Sequence, residues 1–155
     1  MSYSGGEHFN KLAKDRGYRS RAAFKLHQIN MKFKLLKKGF CVMDLGSSPG
    51  GWSQVAKELV GDSGEVFALD IIPMKPIDGV EFMEFDFRDK DIKKYINLNF
   101  NVVISDIAPN ISGIAITDKE NMLELLNNVV GFCNSFLLKG GSCLLYTSPS
   151  PRDDR

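Results

Sequence analysis

Four aspartates stand at the ends of short apolar runs that are typical of β-strands. They are Asp44, Asp70, Asp86 and Asp106. If the runs are parallel strands, their carboxyl ends meet at one edge of a sheet, where open α/β folds bind ligands. A single aspartate at a strand end usually caps a turn, but four in register predict a ligand site.

A glycine-rich turn surrounds the first of these acids and identifies the ligand class. Residues 44–54 read Asp-Leu-Gly-Ser-Ser-Pro-Gly-Gly-Trp-Ser-Gln, with glycines at Gly46, Gly50 and Gly51. Glycines allow a sharp turn and close approach of a ligand, and the helix predicted from Trp52 directs its free N–H groups at the turn. The turn matches neither the dinucleotide fingerprint nor a phosphate-binding P-loop, and Asp44 would repel a phosphate. S-adenosylmethionine, a nucleoside with a cationic sulfur and no phosphate, fits best; a plain strand-to-helix turn is the alternative.

The other acids then receive expected roles around this ligand. Asp70 follows Asp44 by 26 residues, a spacing suited to an acid that binds ribose hydroxyls. Asp86 could accept a hydrogen bond from an adenine amino group while the adjacent Phe87 stacks nearby. Asp106 is expected beside the reacting end of the cofactor.

The elements that must position these residues alternate between strands and helices. The pattern predicts strands at 39–45, 65–70, 80–86, 101–106 and 142–145, and helices at 52–60 and 118–138. The long helix carries an apolar stripe, a capping-box match at residues 117–120 and two following glycines, Gly140 and Gly141. Near-continuous apolar strands alternating with helices predict an α/β fold with a mostly parallel, buried sheet.

The N-terminal part is strongly basic. Two helices are predicted between residues 9 and 29, with a break at Gly17 and an N-cap at Ser20. Residues 10–38 contain ten lysines and arginines and one acid, a net charge of +9 within a chain of net charge +1, so the remainder carries −8. A basic face on an acidic body is typical of a protein that binds a polyanion, and a solvated helix face is the alternative. Lys11, Lys14, Arg19 and Arg21 are the candidate RNA-binding residues.

Length and composition limit the remaining possibilities. The 155 residues are enough for one domain, and 43% hydrophobic content is ordinary for a globular protein. Three cysteines without a Cys-x-x-Cys pair indicate reduced thiols in a reducing compartment, so we expect a cytoplasmic protein, with organellar and nucleolar locations left open. We expect no metal site, no membrane span and no signal peptide, and we expect a monomer.

Five segments together resemble the FtsJ (RrmJ-type) ribosomal RNA 2′-O-methyltransferases. They are Gly17 to Leu26 (Gly-Tyr-Arg-Ser-Arg-Ala-Ala-Phe-Lys-Leu), Asp44 to Gln54, Asp70 to Met74 (Asp-Ile-Ile-Pro-Met), Asp86 to Asp89 (Asp-Phe-Arg-Asp) and Ser105 to Gly113 (Ser-Asp-Ile-Ala-Pro-Asn-Ile-Ser-Gly). The similarity covers residues 9 to 145 in unbroken order. The Pro-Gly-Gly-Trp-Ser and Ala-Pro-Asn-Ile-Ser-Gly stretches are closer to the ribosomal-RNA branch than to the tRNA branch.

The resemblance implies a fold, a reaction and site residues. It implies a Rossmann-like S-adenosylmethionine-dependent methyltransferase fold and transfer of a methyl group to a ribose 2′-hydroxyl, with a uridine of large-subunit rRNA as the expected target. Lys25 and Asp106 would belong to the catalytic set. With the loop residues predicted above, the expected cofactor-binding residues are Asp44, Gly46, Gly50, Gly51, Trp52, Asp70, Asp86, Phe87 and Asp106.

The chain departs from the family after Leu145. The family continues Gly-Gly-Ser-x-x-x-Lys, with that lysine taken as the main catalytic base, whereas Gly140-Gly141-Ser142 is followed here by Tyr146 at the lysine position. Residues 147–155 contain two Ser-Pro units and charges, which cannot continue a central strand. We interpret residues 1–145 as the methyltransferase domain, with basic helices at 9–30 and a Rossmann-like core at 39–145. Residues 146–155 are then a disordered tail foreign to the natural gene, and a genuine short isoform is the alternative.

Without its last strands and the late catalytic glutamate of the family, such a chain is expected to bind the cofactor weakly and to be catalytically impaired. Two other functions remain open at this point: a tRNA 2′-O-methyltransferase, or a non-catalytic RNA-binding module that keeps the basic face. A nicotinamide dehydrogenase is disfavoured by the loop.

Overall fold

A computed structural model describes residues 11–107 and 112–147 of the chain. Residues 11–15 are helical and form the described part of α1. The elements that follow are α2 (Ala22–Phe33), β1 (Cys41–Leu45), α3 (Gly51–Val60), β2 (Glu65–Asp70), β3 (Val80–Glu84), a 3-10 helix (Ile92–Lys94), β4 (Phe100–Asp106), α4 (Ala115–Phe136) and β5 (Leu137–Tyr146). The predicted alternation of strands and helices is confirmed.

The five strands form one parallel sheet in the order β3-β2-β1-β4-β5. The chain therefore winds outward from β1 in both directions, first through β2 and β3 and then through β4 and β5. This is a doubly wound, Rossmann-like arrangement, in which ligands bind outside the carboxyl ends of the strands near the point where the winding reverses. Here that point lies between β1 and β4.

The sheet is covered on both faces because its apolar strand residues alternate between two cores. One core lies under α2 and α3 and includes Val42 and Val102, and the other lies under α4 and includes Met43 and Val103. Of the predicted apolar stripe of α4, Val129, Phe132 and Phe136 are buried. The stripe therefore holds α4 against the sheet as expected.

Two predicted strand boundaries are wrong. Strand β3 ends at Glu84, so Asp86 lies in the turn after it, where its carboxylate accepts the N–H of Arg88. Strand β5 begins directly after α4 at Leu137 and continues to Tyr146, with Gly140 and Gly141 inside it. The two glycines fall at a register shift against β4, and such an irregularity favours glycine.

Two predicted helix starts are also wrong. Helix α4 begins at Ala115 rather than at the capping-box match, and Asp118 instead accepts hydrogen bonds from the N–H groups of Ser112 and Gly113. Helix α2 begins at Ala22, and Ser20 is not its N-cap. Asp118 thus lies inside α4 and fixes the chain that leads into the helix.

Some predictions fall on residues outside the described ranges. These are the Ala-Pro-Asn-Ile stretch at 108–111 and most of the tail, at 148–155. Tyr146, which is predicted to open the tail, is the last residue of β5 and pairs with Asp106. Within the described ranges, no helix has both the length and the apolar character needed to cross a membrane.

Candidate functional site

The loop between β1 and α3 is fastened to the end of β2. The N–H groups of Gly46 and Ser47 both donate to the carbonyl oxygen of Leu69, at 2.8 and 3.1 Å. Gly46 has φ +72°, and a Cβ there would lie 2.6 Å from Ile107. The loop thus follows a path that only glycine accommodates, and α3 starts immediately beyond it.

Asp70 supports the same loop from its position at the end of β2. Its Oδ2 accepts the N–H of Ser48 at 2.8 Å and its Oδ1 accepts the N–H of Ile72 at 3.0 Å. One carboxylate therefore orders both the loop after β1 and the loop after β2. The side chain is only partly buried, so part of the carboxylate stays accessible at the end of β2.

Asp44 lies behind the loop rather than on its surface. Its side chain is buried, with the residue 1% exposed, and its Oδ2 accepts the hydroxyl of Ser53 at 2.7 Å. Burial, opposed by the Ser53 hydrogen bond and supported by the charges of Asp106 and Asp70, raises the pKa of Asp44 to about 7. Asp44, Asp70 and Asp106 stand at or near the carboxyl ends of the adjacent strands β1, β2 and β4, so three of the four predicted acids gather at this edge of the sheet.

The fourth acid, Asp86, lies in the turn after β3, the outer strand on one side of the sheet. Asp86 forms a two-point ion pair with Arg88, at 2.9 Å to Nε and 2.8 Å to Nη2. The side-chain hydrogen bonds of Arg88 hold the pKa of Asp86 below its usual value, so the carboxylate stays ionised. Phe87 packs edge-on against Phe132, with ring centres 6.4 Å apart.

Trp52 was expected beside the cofactor, and the structure places it in the core. It is 3% exposed, and its Nε1–H donates to the carbonyl of Ala22 at 2.8 Å. Next to it, a Cβ on Gly51 would collide with the hydroxyl of Ser20. Trp52 and Gly51 therefore join the start of α3 to the start of α2.

The contact between the starts of α2 and α3 places Lys25, on α2, near the carboxyl edge of the sheet. Lys25 Nζ lies 5.3 Å from the ring centre of Tyr146, and Tyr146 is the register partner of Asp106 across β4 and β5. Lys25, one member of the predicted catalytic pair, thus lies near the carboxyl edge of the sheet, where Asp106 ends β4. A cation next to a strand-end carboxylate can orient a hydroxyl group between them.

The candidate RNA-binding residues differ in their exposure and in their contacts. Lys11 and Lys14 are exposed on α1. Arg21, just before α2, is half-buried and in contact with other groups. Arg19 is the exception, because its guanidinium donates to the backbone carbonyls of Pro49, Lys75 and Pro76.

Sequence reasoning missed the residues that support this site. Ser53 holds Asp44, Arg88 holds Asp86, and Gln54 receives the N–H of Arg19 on its Oε1. The hydroxyl of Ser47 is buried in the loop without a hydrogen-bond partner among the described residues. The spacing of Asp86 and Arg88 could have indicated their ion pair, but the Ser53 and Gln54 contacts cross between elements and carry no local signal.

The described part of the chain contains no cluster of His, Cys, Asp and Glu that could hold a metal ion. A buried unpaired hydroxyl next to a loop of glycine geometry is a feature of a ligand site. Two carboxylates at the same edge, Asp70 and Asp106, favour a cationic ligand over a phosphate. These features fit S-adenosylmethionine, as the sequence predicts.

Comparison with known proteins gives matches over most of the chain. The family model for FtsJ-like methyltransferases matches residues 18–150. Two curated relatives, from Neisseria meningitidis and Neisseria gonorrhoeae, are both named ribosomal RNA large subunit methyltransferase E. They are 46% and 45% identical over 144 residues, which is 90% of this chain and 70% of each relative.

Solved structures agree with the fold. A protein from Plasmodium falciparum described as a ribosomal RNA methyltransferase superposes with a TM-score of 0.76 at 28% identity, covering 83% of this chain and 77% of that one. Fibrillarin from Aeropyrum pernix, solved with S-adenosylmethionine bound, superposes with a TM-score of 0.62 at 18% identity, covering 83% and 54%. The second likeness concerns the fold alone.

Proposed function

The chain belongs to the FtsJ-like methyltransferase family, and from that membership we propose that it methylates a ribose 2′-hydroxyl of ribosomal RNA with S-adenosylmethionine as methyl donor. The observation that carries the proposal is that Lys25 lies over the ring of Tyr146, the register partner of Asp106 at the carboxyl edge of the sheet. We propose large-subunit rRNA as the substrate, because the Neisseria relatives carry that name at 46% and 45% identity. A uridine target is the prediction made from the sequence resemblance.

We assign the cofactor to the cleft formed by the loops after β1, β2 and β3. Gly46 and Gly50 would let the loop backbone approach it, and Asp70 would bind the ribose hydroxyls with its accessible carboxylate. Asp86 and Phe87 would bound the adenine side. Bound there, the cofactor supplies an electrophilic methyl group on a cationic sulfur.

Asp44, Gly51 and Trp52 take indirect roles in this assignment. All three were expected to contact the cofactor, and they are buried beneath or beside its loop. Asp44 holds α3 through Ser53, while Gly51 and Trp52 hold α3 against α2. They would set the position of the loop without touching the ligand.

The chemical step requires a weak nucleophile to be aligned and deprotonated. A ribose hydroxyl must point its oxygen lone pair in line with the methyl carbon, and its proton must leave as the C–O bond forms. Lys25 would direct the hydroxyl as a charged hydrogen-bond donor or accept its proton as a neutral amine. Asp106, at the end of β4, would hold the lysine and the hydroxyl in position.

We propose that the exposed lysines of α1, Lys11 and Lys14, and the adjacent Arg21 contact the RNA phosphates. This arrangement puts the polyanion on the same side of the sheet edge as Lys25. Phosphate contacts of this kind position the substrate without reading its sequence. A monomer and a cytoplasmic location stay predictions, and sedimentation and cell fractionation would test them.

Titration calorimetry tests the cofactor assignment. Heat of binding is expected with S-adenosylmethionine and with S-adenosylhomocysteine, and none with NAD, because the loop lacks the dinucleotide fingerprint. Binding of NAD without binding of S-adenosylmethionine would contradict the proposed function.

A further inference from the structure

Arg19 joins two loops that are far apart in the sequence. Its Nη1 donates to the carbonyl oxygen of Pro49 at 3.1 Å and to that of Lys75, and its Nη2 donates to the carbonyl of Pro76 at 2.6 Å. Pro49 belongs to the loop between β1 and α3, and Lys75 and Pro76 belong to the loop between β2 and β3. Charged donors make hydrogen bonds roughly twice as strong as neutral ones, so the guanidinium is a strong link between the loops.

The backbone and the aliphatic stem of Arg19 are also held in place. The Arg19 N–H donates to Oε1 of Gln54 at 2.8 Å, and Nε2 of Gln54 donates to the carbonyl of Gly17 at 3.0 Å. The arginine stem passes over the loop, because a Cβ on Gly50 would lie 3.3 Å from Arg19 Cδ. The backbone before α2 is therefore attached to α3, and the side chain extends from this anchor across both loops.

These contacts leave little of the guanidinium for a phosphate. Both N–H groups of Nη1 and one of Nη2 point at carbonyl oxygens of the protein, out of five donors in all. A two-point contact with a phosphate needs a pair of parallel donors on one edge of the fork. The end of the fork, formed by Nη1 and Nη2, is occupied by the loop carbonyls, and only the Nε–H and the second N–H of Nη2 are left for another partner.

We infer that Arg19 is a positioning residue for the cofactor cleft rather than a contact for RNA. This inference rests on the proposed function, since the two loops that it joins are those assigned to the cofactor. By fixing Pro49 relative to Lys75 and Pro76, Arg19 sets the width of the cleft above Asp70. Because it is also anchored at the start of α2, it links the basic N-terminal segment to the cofactor loops.

Calorimetry with S-adenosylhomocysteine on the full chain tests the inference, with Arg19→Ala, Arg19→Lys and Lys37→Ala compared with the unchanged protein. Arg19→Ala is expected to weaken cofactor binding by roughly tenfold or more, as expected for lost charged hydrogen bonds. Arg19→Lys should restore part of the affinity, because an ammonium can reach one loop but cannot span both. Lys37→Ala, which removes an exposed charge from the same basic segment, should leave the affinity unchanged.

Two further measurements separate positioning from RNA contact and from general damage. Binding of a labelled single-stranded RNA should keep its salt slope in Arg19→Ala, whereas loss of a phosphate contact would reduce that slope by about one. Amide hydrogen exchange should accelerate in residues 47–50 and 72–77 of Arg19→Ala while protection in β1 and β4 is retained.

Unchanged cofactor affinity in both Arg19 variants, or a reduced salt slope, would overturn the inference. Loss of protection in β1 and β4 in both variants would also overturn it, because Arg19 would then support the whole fold rather than the cleft. If the unchanged protein fails to bind S-adenosylhomocysteine, the proposed function fails first, so the two failures can be told apart.

Discussion

At the scale of single residues, the most informative group is the carboxyl of Asp44. It is buried beneath the glycine-rich loop, close enough to Asp70 and Asp106 to feel their charges, and its pKa is raised to about 7. A carboxyl kept protonated near neutrality can donate or accept a hydrogen bond without adding negative charge to the cleft. The negative charge of the site is therefore carried by the other two acids at the edge, Asp70 and Asp106.

The raised pKa predicts how stability depends on pH. In the unfolded chain this carboxyl ionises near its ordinary value of 3.8, whereas the folded protein keeps the proton up to about 7. Between those values the native state binds more protons, so the contribution of Asp44 to the free energy of unfolding falls as pH rises and is level above about 7. The loss should amount to roughly 2–4 kcal/mol.

Urea denaturation of Asp44→Asn between pH 4 and pH 8 measures this contribution. The amide oxygen still accepts the Ser53 hydroxyl but does not titrate, so the variant should gain stability relative to the unchanged protein as pH rises. Asp62→Asn, at an exposed aspartate after α3, should follow the unchanged protein throughout. Parallel curves for Asp44→Asn and the unchanged protein would show that Asp44 has an ordinary pKa.

Asp70 gives a second prediction at this scale. Asp70→Ala removes the acceptor for the N–H groups of Ser48 and Ile72 and the group assigned to the ribose. Affinity for S-adenosylmethionine should fall by at least about a hundredfold, since charged hydrogen bonds are lost and two loops are released. Calorimetry measures it, with Asp62→Ala as the control, and an affinity within a factor of about two of the unchanged protein would refute the ribose role.

The residue types at the sheet edge could be predicted from the sequence, but their surroundings could not. An aspartate after an apolar run predicts a place in the fold, and Asp44, Asp70 and Asp106 lie at the expected edge. Whether such a side chain points at the ligand or beneath it depends on contacts from other elements. The hydrogen bonds between Ser53 and Asp44 and between Trp52 and Ala22 are contacts of that kind.

At the scale of elements, the loop between β1 and α3 depends on backbone conformations open to glycine. Gly50 has φ +118°, and a Cβ there would lie 2.7 Å from Ile77 and 3.2 Å from Met74. These neighbours belong to the loop after β2, so the same glycine lets the two cofactor loops approach each other. Closeness of two loops cannot be deduced from the spacing of residues within one of them.

Gly50→Ala should therefore lower the free energy of unfolding by about 1–3 kcal/mol and weaken cofactor binding. The matched control is Gly131→Ala, within α4, where a new Cβ meets nothing within 4 Å. That change should stabilise the protein by about 0.5–1 kcal/mol, because alanine is the better helix former. Thermal denaturation compares the two, and equal effects would contradict the strain assigned to Gly50.

Element types were easier to predict than element limits. The apolar stripe of α4 predicts a helix and its buried face, since Val129, Phe132 and Phe136 recur at helical spacing. Its start was misplaced because Asp118 holds the turn at Ser112 and Gly113, although its sequence neighbours fit a capping box. The glycine pair 140–141 was predicted as a helix stop and instead allows the register shift between β4 and β5.

At the scale of the whole molecule, charge is divided between a basic N-terminal segment and an acidic remainder. Substituting Glu for both Lys11 and Lys14 should weaken binding to single-stranded RNA and reduce the salt slope of binding by about two, one for each lost phosphate contact. The control substitutes Glu for both Lys93 and Lys94, exposed within the 3-10 helix, and has the same charge change. Equal losses in the two variants would mean that net charge, rather than the basic segment, governs binding.

Covalent transfer to RNA tests the central claim most directly. Excess protein is mixed with S-adenosylmethionine carrying a labelled methyl group and with ribosomal RNA, in single turnover so that slow chemistry is still measured. The product is then hydrolysed with alkali. The label is expected in dinucleotides that resist alkali, because a methylated 2′-oxygen can no longer attack the adjoining phosphate, and the yield should fall sharply in Lys25→Ala and Asp106→Ala. Label recovered on a base, or a yield unaffected by both substitutions, would contradict methyl transfer to ribose at the edge between Lys25 and Asp106.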